Sequence, residues 1–364
     1  MKLCFYSPYF PDHFGGGEKH LLDVATVASQ EHDVSIAIAP NKVSSDRSIY
    51  KIQQQYEQFF GQSLESISFI ESPLGTAESA VEKLLWTGQF DGMYYVTDGS
   101  FFFSLARHNY LHIQVPLKIK FSPLQRIKLN IWQHKNANSE FTKECIEREW
   151  QTTVQQVIYP SVDLELFKNT QEKEKIILNV GRFFKQLHSK RQDVLVANFS
   201  QLVSQYPKET KGWKLVLIGA IEDQQYFEEV QNLATGLPVE FKTDVNRTDL
   251  VAAYKAASIY WHATGYDVDE QTNPEKVEHF GISTVEAMAA GAIPVVQYKG
   301  GQKEILGEEL KELGWITRNE CVATTKSIIG NTELQERLRS QVTQRVQRFG
   351  IPLFSKKVLQ LFKK

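Results

Sequence analysis

KLCFYSPYFPDHFGGGEKHLLDVATVASQEHDVSIAIAP, residues 2–40, contains a complete strand–helix–strand unit. Its first nine residues form a short apolar run that is typical of a strand, and a glycine-rich turn follows at once. Residues 21–30 carry apolar side chains at helical spacing, and residues 32–40 form a second apolar run of strand type. A unit of this kind places its two strands parallel and buries both of their faces.

The same alternation recurs along the chain with a single interruption. Residues 166–175 are charged and poor in large apolar side chains, and a second strand–helix series begins at IILNVGRFF, residues 176–184. We therefore predict an α/β protein of two Rossmann-like, doubly wound domains that face each other across a cleft, with the first domain covering 1–168. Ligands of such sheets bind outside the carboxyl ends of the strands.

The composition excludes several classes of protein. A hydrophobic content of 42% is ordinary for a soluble globular protein, and a net charge of −2 disfavours a nucleic-acid partner. The three cysteines, Cys4, Cys145 and Cys321, match no zinc-ligand spacing, which favours a reduced setting. No run approaches the ~20 apolar residues that span a bilayer, and the first residues do not read as a signal peptide. We expect a cytoplasmic protein that at most lies on a membrane surface.

A second stretch, EHFGISTVEAMAAGAIPVV at residues 278–296, carries two glutamates eight positions apart around a glycine. Ser283 and Glu286 fit a helix capping box, which is one interpretation of Glu286. The other is a ligand clamp. Glu278 precedes a turn whose amides lead into a helix N-terminus, and Gly281 leaves room for a ligand to approach the backbone. Carboxylate oxygens on both sides would accept hydrogen bonds from sugar or ribose hydroxyls.

This E-x7-E arrangement, with FG after the first acid and EAMAAG from the second, resembles the retaining glycosyltransferases of the GT-B fold, family 4 (glycosyl transferases group 1). VGRFFKQLHSKRQDVL, residues 180–195, resembles the GR…K element of that family, and GGGEKHLLDVA, residues 15–25, its glycine-rich first turn. HIQVP at 112–116 is similar to its strand-end histidine segment. The resemblance implies that a last helix, about 345–364, crosses back to the first domain, which leaves 169–344 as the donor domain.

The resemblance also implies roles for individual residues. The donor diphosphate would be bound by Arg182, Lys190, Gly16, Gly17, Gly281 and Ile282. The transferred sugar and the ribose would be bound by Glu278, His279, Phe280 and Glu286. The catalytic residues would be Glu278 and His112. Two mechanisms stay open, because Glu278 acts either as a nucleophile or by positioning the sugar for a front-face reaction. A core histidine at a strand end is the alternative interpretation of His112.

The predicted reaction has one electrostatic requirement, the stabilisation of a departing diphosphate. Arg182 and Lys190 can meet it with cationic side chains, and the resemblance implies that the enzyme uses no metal and no other cofactor. The resemblance implies a nucleotide-sugar donor, and the form EHFGI favours GDP-mannose. The acceptor would be a glycan or a lipid-linked glycan, as in polysaccharide biosynthesis.

Two alternative functions are less consistent with the sequence. A catalytically inactive partner subunit would keep the fold and bind nucleotide-sugar, but the residues of the predicted site are all present. A nicotinamide-dependent oxidoreductase would need G-x-G-x-x-G, in which His20 occupies the last glycine position, and an acid after the second strand, which ends in IAIAP.

A basic stretch, PLKIKFSPLQRIKLNIWQHK at residues 116–135, mixes cations with apolar side chains. Such a mixture suits an anionic membrane surface, at about 1 kcal/mol per nearby basic residue. We therefore predict contact with the inner face of a membrane through Lys118, Lys120, Arg126 and Lys128, with Lys135 further along the same stretch. The alternative is a solvated helix face whose apolar side packs on the core.

Overall fold

A computed structural model describes residues 1–12, 14–44, 46–169 and 171–363. The chain divides into two compact units. Unit 1 comprises Met1–Ser161 and Pro352–Lys364, and unit 2 comprises Val162–Ile351.

Unit 1 contains a parallel sheet of seven strands within the described residues, in the order β3-β2-β1-β4-β5-β6-β7. The strands are β1 (Lys2–Tyr6), β2 (Asp33–Ile38), β3 (Ile67–Glu71), β4 (Gly92–Val96), β5 (His108–Ile113), β6 (His134–Ala137) and β7 (Gln156–Val157). The helices between them are α1 (Gly16–Ala28), α2 (Ile49–Phe60), α3 (Ala80–Thr87), α4 (Pro123–Ile131) and α5 (Glu140–Trp150). A short 3₁₀ helix covers Pro40–Lys42. The strand–helix–strand unit predicted at residues 2–40 is β1, α1 and β2, with Leu3 paired to Val34 in parallel register.

Unit 2 contains a second parallel sheet, of six strands within the described residues, in the order β10-β9-β8-β11-β12-β13. The strands are β8 (Glu174–Val180), β9 (Lys214–Ile218), β10 (Val239–Lys242), β11 (Ala257–His262), β12 (Ile293–Gln297) and β13 (Gly314–Trp315). The helices are α6 (Leu164–Phe167), α7 (Gln192–Gln205), α8 (Gln224–Leu233), α9 (Arg247–Ala256), α10 (Ile282–Ala289), α11 (Gln302–Leu306), α12 (Arg318–Ile329) and α13 (Thr332–Val346). Short 3₁₀ helices cover Pro274–Lys276, Lys311–Leu313 and Gln347–Phe349.

In both sheets the order in which the chain adds strands reverses once. The first three strands along the chain extend the sheet in one direction, and the fourth pairs with the first on its other side. In unit 2 the chain moves outward from β8 through β9 to β10 and then returns to β11 on the other side of β8. The carboxyl ends of β8 and β11 therefore form a topological switch point, which is where open α/β sheets bind their ligands. Residues that follow β8 and β11 are accordingly the first candidates for a site.

The last helix, α14 (Ile351–Phe362), belongs to unit 1. The ring of Phe362 lies 6.0 Å from that of Phe5 and 4.9 Å from that of Tyr110, measured between centroids. The chain passes from one unit to the other after residues 161 and 351, whereas the predicted boundaries follow residues 168 and 344. The difference has a packing cause, because Phe167 packs on Tyr254 and Phe349 packs on Phe280, both inside unit 2.

The described residues include no helix long and apolar enough to cross a membrane.

Candidate active site

Glu278 lies at the centre of a buried polar network in unit 2. Its Oε2 accepts hydrogen bonds from Lys190 Nζ at 2.7 Å and from His262 Nε2 at 2.8 Å. The side chains are only 15% exposed at Lys190, 12% at Glu278 and 1% at His262. Burial raises the pKa of Glu278, but the charge of Lys190 and the hydrogen bond from His262 outweigh burial and hold that pKa well below its usual range. The carboxylate is therefore charged at neutral pH.

His262 contributes to this network as a neutral ring. Burial lowers its pKa, and the hydrogen bond to Glu278 only partly offsets that effect. A neutral imidazole carries one proton, and the carboxylate holds that proton on Nε2. In the described part of the chain, Nδ1 of His262 has no hydrogen-bond partner, which a doubly protonated buried ring would tolerate poorly.

Lys190 reaches Glu278 because the turn after β8 is built for close packing. A Cβ at Gly181 would lie 2.6 Å from Cγ of Lys190, so only glycine allows the lysine stem to cross the turn. The next residue, Arg191, has a φ of 52° and is the N-cap of α7. Its guanidinium pairs with Asp193 and donates to the Tyr266 carbonyl at 3.0 Å. Gly181, which the lysine stem crosses, and Arg191, which is held by Asp193 and Tyr266, together restrict the position of Lys190.

Arg182 follows the same strand but lies in a more exposed environment. Its Nη1 donates to Glu222 Oε1 at 2.7 Å, and the guanidinium lies 4.8 Å from the centre of the Phe184 ring. The Arg182 side chain is 44% exposed. It can therefore exchange Glu222 for a ligand anion without leaving a buried charge behind.

Glu286 does not cap a helix, and the capping-box interpretation is wrong. The N-cap of α10 is Gly281 and the helix begins at Ile282, so Ser283 lies inside the first turn. The Ser283 hydroxyl accepts a hydrogen bond from Tyr260 at 2.8 Å. Glu286 lies one turn further on, is largely buried and accepts from Nη1 of Arg247 at 3.0 Å. Its carboxylate is paired with a cation from α9 rather than with backbone.

The space beside Gly281 is filled by protein. Gly281 has a φ of 118°, and a Cβ there would lie 2.3 Å from Nε2 of Gln302. The glycine therefore admits the side chain of Gln302, the first residue of α11, which corrects the expectation that it leaves room for a ligand. His279 and Phe280 are also buried, with His279 Nε2 3.2 Å from the Glu275 carbonyl. Their side chains point into unit 2.

The remaining predicted residues lie in unit 1. Gly16 and Gly17 form the first turn of α1, where a Cβ on Gly17 would lie 2.8 Å from Oε1 of Gln114. His112 lies near the end of β5, is fully buried and pairs through Nδ1 with Asn136 Oδ1. Its ring stacks on His20 at 4.0 Å, and burial lowers its pKa to about 4. This environment fits the core interpretation of His112.

Three partners of the predicted residues were not found from the sequence: His262, Arg247 and Glu222. His262 ends a strand, as His112 nearly does, so the same strand-end argument could have found it. Arg247 begins α9 after the N-cap Asn246, and no local pattern marks it as a partner of Glu286. Glu222 lies in the loop between β9 and α8, where no local pattern marks it as a partner of Arg182.

A family model described as "Glycosyl transferases group 1" matches residues 163–345, which is half of the chain and nearly all of unit 2. The chain belongs to the glycosyl transferases group 1 family. The group 1 family that the E-x7-E and GR…K elements predicted is thereby confirmed.

Solved structures of similar architecture support the fold of this family member. The Anabaena Alr3699/HepE structure in complex with UDP has a TM-score of 0.73 and 18% identity, and the likeness covers 99% of both chains. A glycosyltransferase from Rickettsia africae has a TM-score of 0.72 and 15% identity over 100% of this chain and 98% of its own. The prediction of an α/β protein of GT-B fold is confirmed.

Curated relatives of this group 1 chain match over part of their length. GDP-Man:Man(3)GlcNAc(2)-PP-Dol alpha-1,2-mannosyltransferase from Dictyostelium discoideum is 27% identical over 225 residues, which cover 57% of this chain and 42% of the relative. The human protein of the same name is 28% identical over 181 residues, covering 46% and 34%. An uncharacterized glycosyltransferase, MJ1607 from Methanocaldococcus jannaschii, is 32% identical over 149 residues, covering 40% and 33%. The chain thus spans less than half the length of these relatives.

The basic stretch lies on unit 1 and has a mixed environment. Leu124 and Ile127 of α4 are 54% and 56% exposed, and Lys118 and Lys120 just before the helix are exposed as well. Lys135 does not belong to this surface: it is buried in β6, and its Nζ donates to the Trp132 carbonyl at 2.7 Å. Two further cations belong to α4 itself and lie over aromatic rings outside the helix: Arg126 over Phe121 and Lys128 over Phe103.

Proposed function

We propose that this chain transfers mannose from GDP-mannose to a lipid-linked glycan, with retention of anomeric configuration. The observation that carries the proposal is the Lys190–Glu278–His262 network beside the switch point of unit 2, the unit that the family model matches. The donor and the acceptor class are supported by the names of the curated relatives, and retention by the resemblance of the motifs to family 4.

In this proposal Lys190 binds the diphosphate. An ammonium group has three N–H donors, and one of them is used by Glu278, so two can bind phosphate oxygens. A cation held beside the leaving group stabilises the charge that develops as the glycosidic bond breaks. Arg182 adds a second cation after its exposed pair with Glu222 opens. With two cations available, we propose that the reaction needs no metal ion.

Glu278 would bind the transferred sugar. Both of its hydrogen bonds within the described residues fall on Oε2, so Oε1 can accept a sugar hydroxyl. Glu286 would bind the ribose, sharing its carboxylate between a hydroxyl and Arg247. His279, Phe280, Gly281 and Ile282 would act through the backbone of the turn and helix start, because the side chains of His279 and Phe280 are buried.

The test is a transfer assay with a panel of donors and variants. Radiolabelled GDP-mannose, UDP-glucose and UDP-N-acetylglucosamine are each supplied with lipid-linked oligosaccharides, and transfer and donor hydrolysis are both measured. We expect turnover with GDP-mannose, lost in Lys190→Ala and Glu286→Ala and retained in Lys214→Ala, whose exposed partner is Glu240.

The outcomes separate the alternatives. Turnover with a UDP-sugar only would overturn the donor assignment. Binding of nucleotide-sugar without hydrolysis or transfer would indicate an inactive partner subunit. Binding of a nicotinamide cofactor, with no response to nucleotide-sugars, would indicate an oxidoreductase.

We further propose that α4 and the residues before it bind an anionic membrane at its cytoplasmic face. Leu124 and Ile127 would insert while Lys118 and Lys120 contact lipid head groups. Arg126 is less available, because it donates to the Trp150 carbonyl.

Flotation with vesicles of phosphatidylglycerol and phosphatidylcholine tests this surface. We expect binding that falls with salt and is lost in a Leu124→Ser/Ile127→Ser double variant. Leu233→Ser, at a similarly exposed leucine of α8, is the control and should bind as the wild type does. Equal binding to purely zwitterionic vesicles would refute the electrostatic part of the proposal.

A further inference from the structure

We propose that His262 is a positioning residue whose Nε2–H fixes the Glu278 carboxylate, so that Oε1 faces the donor sugar. This inference rests on the proposed function of unit 2. It assigns a role to a residue that neither of the two sequence motifs contains.

The first support is the rigidity of the position. His262 is the last residue of β11, a strand that pairs with β8 on one side and with β12 on the other. Its side chain is 1% exposed, and its Nε2 lies 2.8 Å from Glu278 Oε2. A side chain held at the end of a central strand orients a neighbouring group more firmly than a loop side chain does.

The second support is that Lys190 cannot do this alone. Lys190 extends from a loop on a flexible four-carbon stem, and in the proposed reaction it also binds the diphosphate. When phosphate arrives and leaves, the hydrogen bond between Lys190 and Glu278 must adapt. His262 has no second task of this kind, so its hydrogen bond can hold the carboxylate throughout turnover.

The third support is the protonation state. Because the ring is buried and Nδ1 has no partner among the described residues, the single proton belongs on Nε2, where the carboxylate accepts it. His262 is then a fixed hydrogen-bond donor that neither adds charge to the site nor takes a proton from the substrate.

Two substitutions separate positioning from a purely structural role. The side-chain nitrogen of glutamine can replace Nε2 of histidine as a donor, whereas leucine has none. We expect His262→Leu to lower kcat by about 10- to 100-fold, the order expected when a reacting group is misplaced, with the Kd for GDP unchanged. His262→Gln should recover most of kcat.

The matched control is Thr325→Val. The Thr325 hydroxyl accepts from Nε1 of Trp261, the residue before His262, so this variant removes a buried hydrogen bond at the same strand without touching Glu278. Its kcat should stay at the wild-type value even if its melting temperature falls. A kcat for His262→Leu equal to the wild-type value, or a His262→Gln variant as slow as His262→Leu while both bind GDP normally, would overturn the proposal.

A measurement that needs no activity distinguishes failure of this inference from failure of the proposed function. In ¹⁵N-histidine NMR spectra, the His262 ring should be neutral with its proton on Nε2, and the Nε2 signal should shift in Glu278→Gln. If this holds but the wild type transfers no sugar, the proposed function fails and the positioning contact stands. A proton on Nδ1 would overturn the positioning role whatever the activity.

Discussion

Replacing Lys190 by methionine should destabilise unit 2, because it leaves the Glu278 charge buried with one donor instead of two. The two side chains are 15% and 12% exposed, and their charged atoms lie 2.7 Å apart. Removing one partner of a buried ion pair typically costs ~3–5 kcal/mol. Since His262 still donates to Glu278, we expect a loss near the lower end, about 3 kcal/mol.

Two further variants test whether the unpaired charge is the cause. In Lys190→Met/Glu278→Gln the charge is gone, so most of the lost free energy of unfolding should return. Lys214→Met breaks an exposed pair with Glu240, whose side chains are 35% and 45% exposed. Exposed pairs are worth ~0.2–1 kcal/mol, so this control should lose no more than that.

The assay must report on unit 2 alone, because a chain of two units need not unfold in one step. Hydrogen exchange in a urea series, read from peptides that cover β8 and β11, gives the local free energy of unfolding. Equal losses in Lys190→Met and Lys214→Met would refute the reasoning. So would a double variant no more stable than Lys190→Met.

Three other predictions concern the nucleotide, acid stability and metal ions. Arg247→Met should weaken GDP binding roughly tenfold by calorimetry, because Glu286 loses its charged hydrogen bond, and an unchanged Kd would exclude Arg247 from the site. Burial lowers the pKa of His112 to about 4 from 6.5. As the pH falls, His112 therefore takes up a proton in the unfolded chain before it does so in the folded one. The contribution of neutral His112 to the stability of unit 1 is therefore present above pH 6.5 and is lost as the pH falls toward 4, by up to about 1.4 kcal/mol per pH unit. Urea titrations should find this slope reduced in His112→Phe. Prior dialysis against EDTA should leave the initial rate of transfer unchanged, and loss of rate with recovery by a divalent cation would refute metal independence.

The fold could be predicted because its evidence is local. Each strand–helix–strand unit shows its apolar run, glycine turn and helical spacing within about 40 residues, as residues 2–40 do. Lys135 shows the limit of reading charge alone: the cation looked like part of a basic surface, but the helix ends at Ile131 and Lys135 lies on a buried strand.

The site could be predicted only in part, because its contacts are distant in sequence. Lys190 and Glu278 came from two separate motifs, and only the fold brings Nζ and Oε2 together. The S-x-x-E pattern at Ser283 misled because the helix begins earlier, with Gly281 as its N-cap. The space beside that glycine is filled by Gln302 from α11. A local pattern cannot include a side chain that arrives from 21 residues away.

The placement of α14 in unit 1 affects the order in which the two units can fold during synthesis. Unit 2 is continuous, so its last residue, Ile351, is synthesised before the α14 residues that complete unit 1. Unit 1 needs Phe362 against Phe5 and Tyr110, contacts between the first and last parts of the described chain. The domain translated first is therefore the last to be completed. Until then Phe5 of β1 and Tyr110 of β5 lack the α14 residues that cover them, and apolar surface left exposed in this way promotes aggregation of a nascent domain.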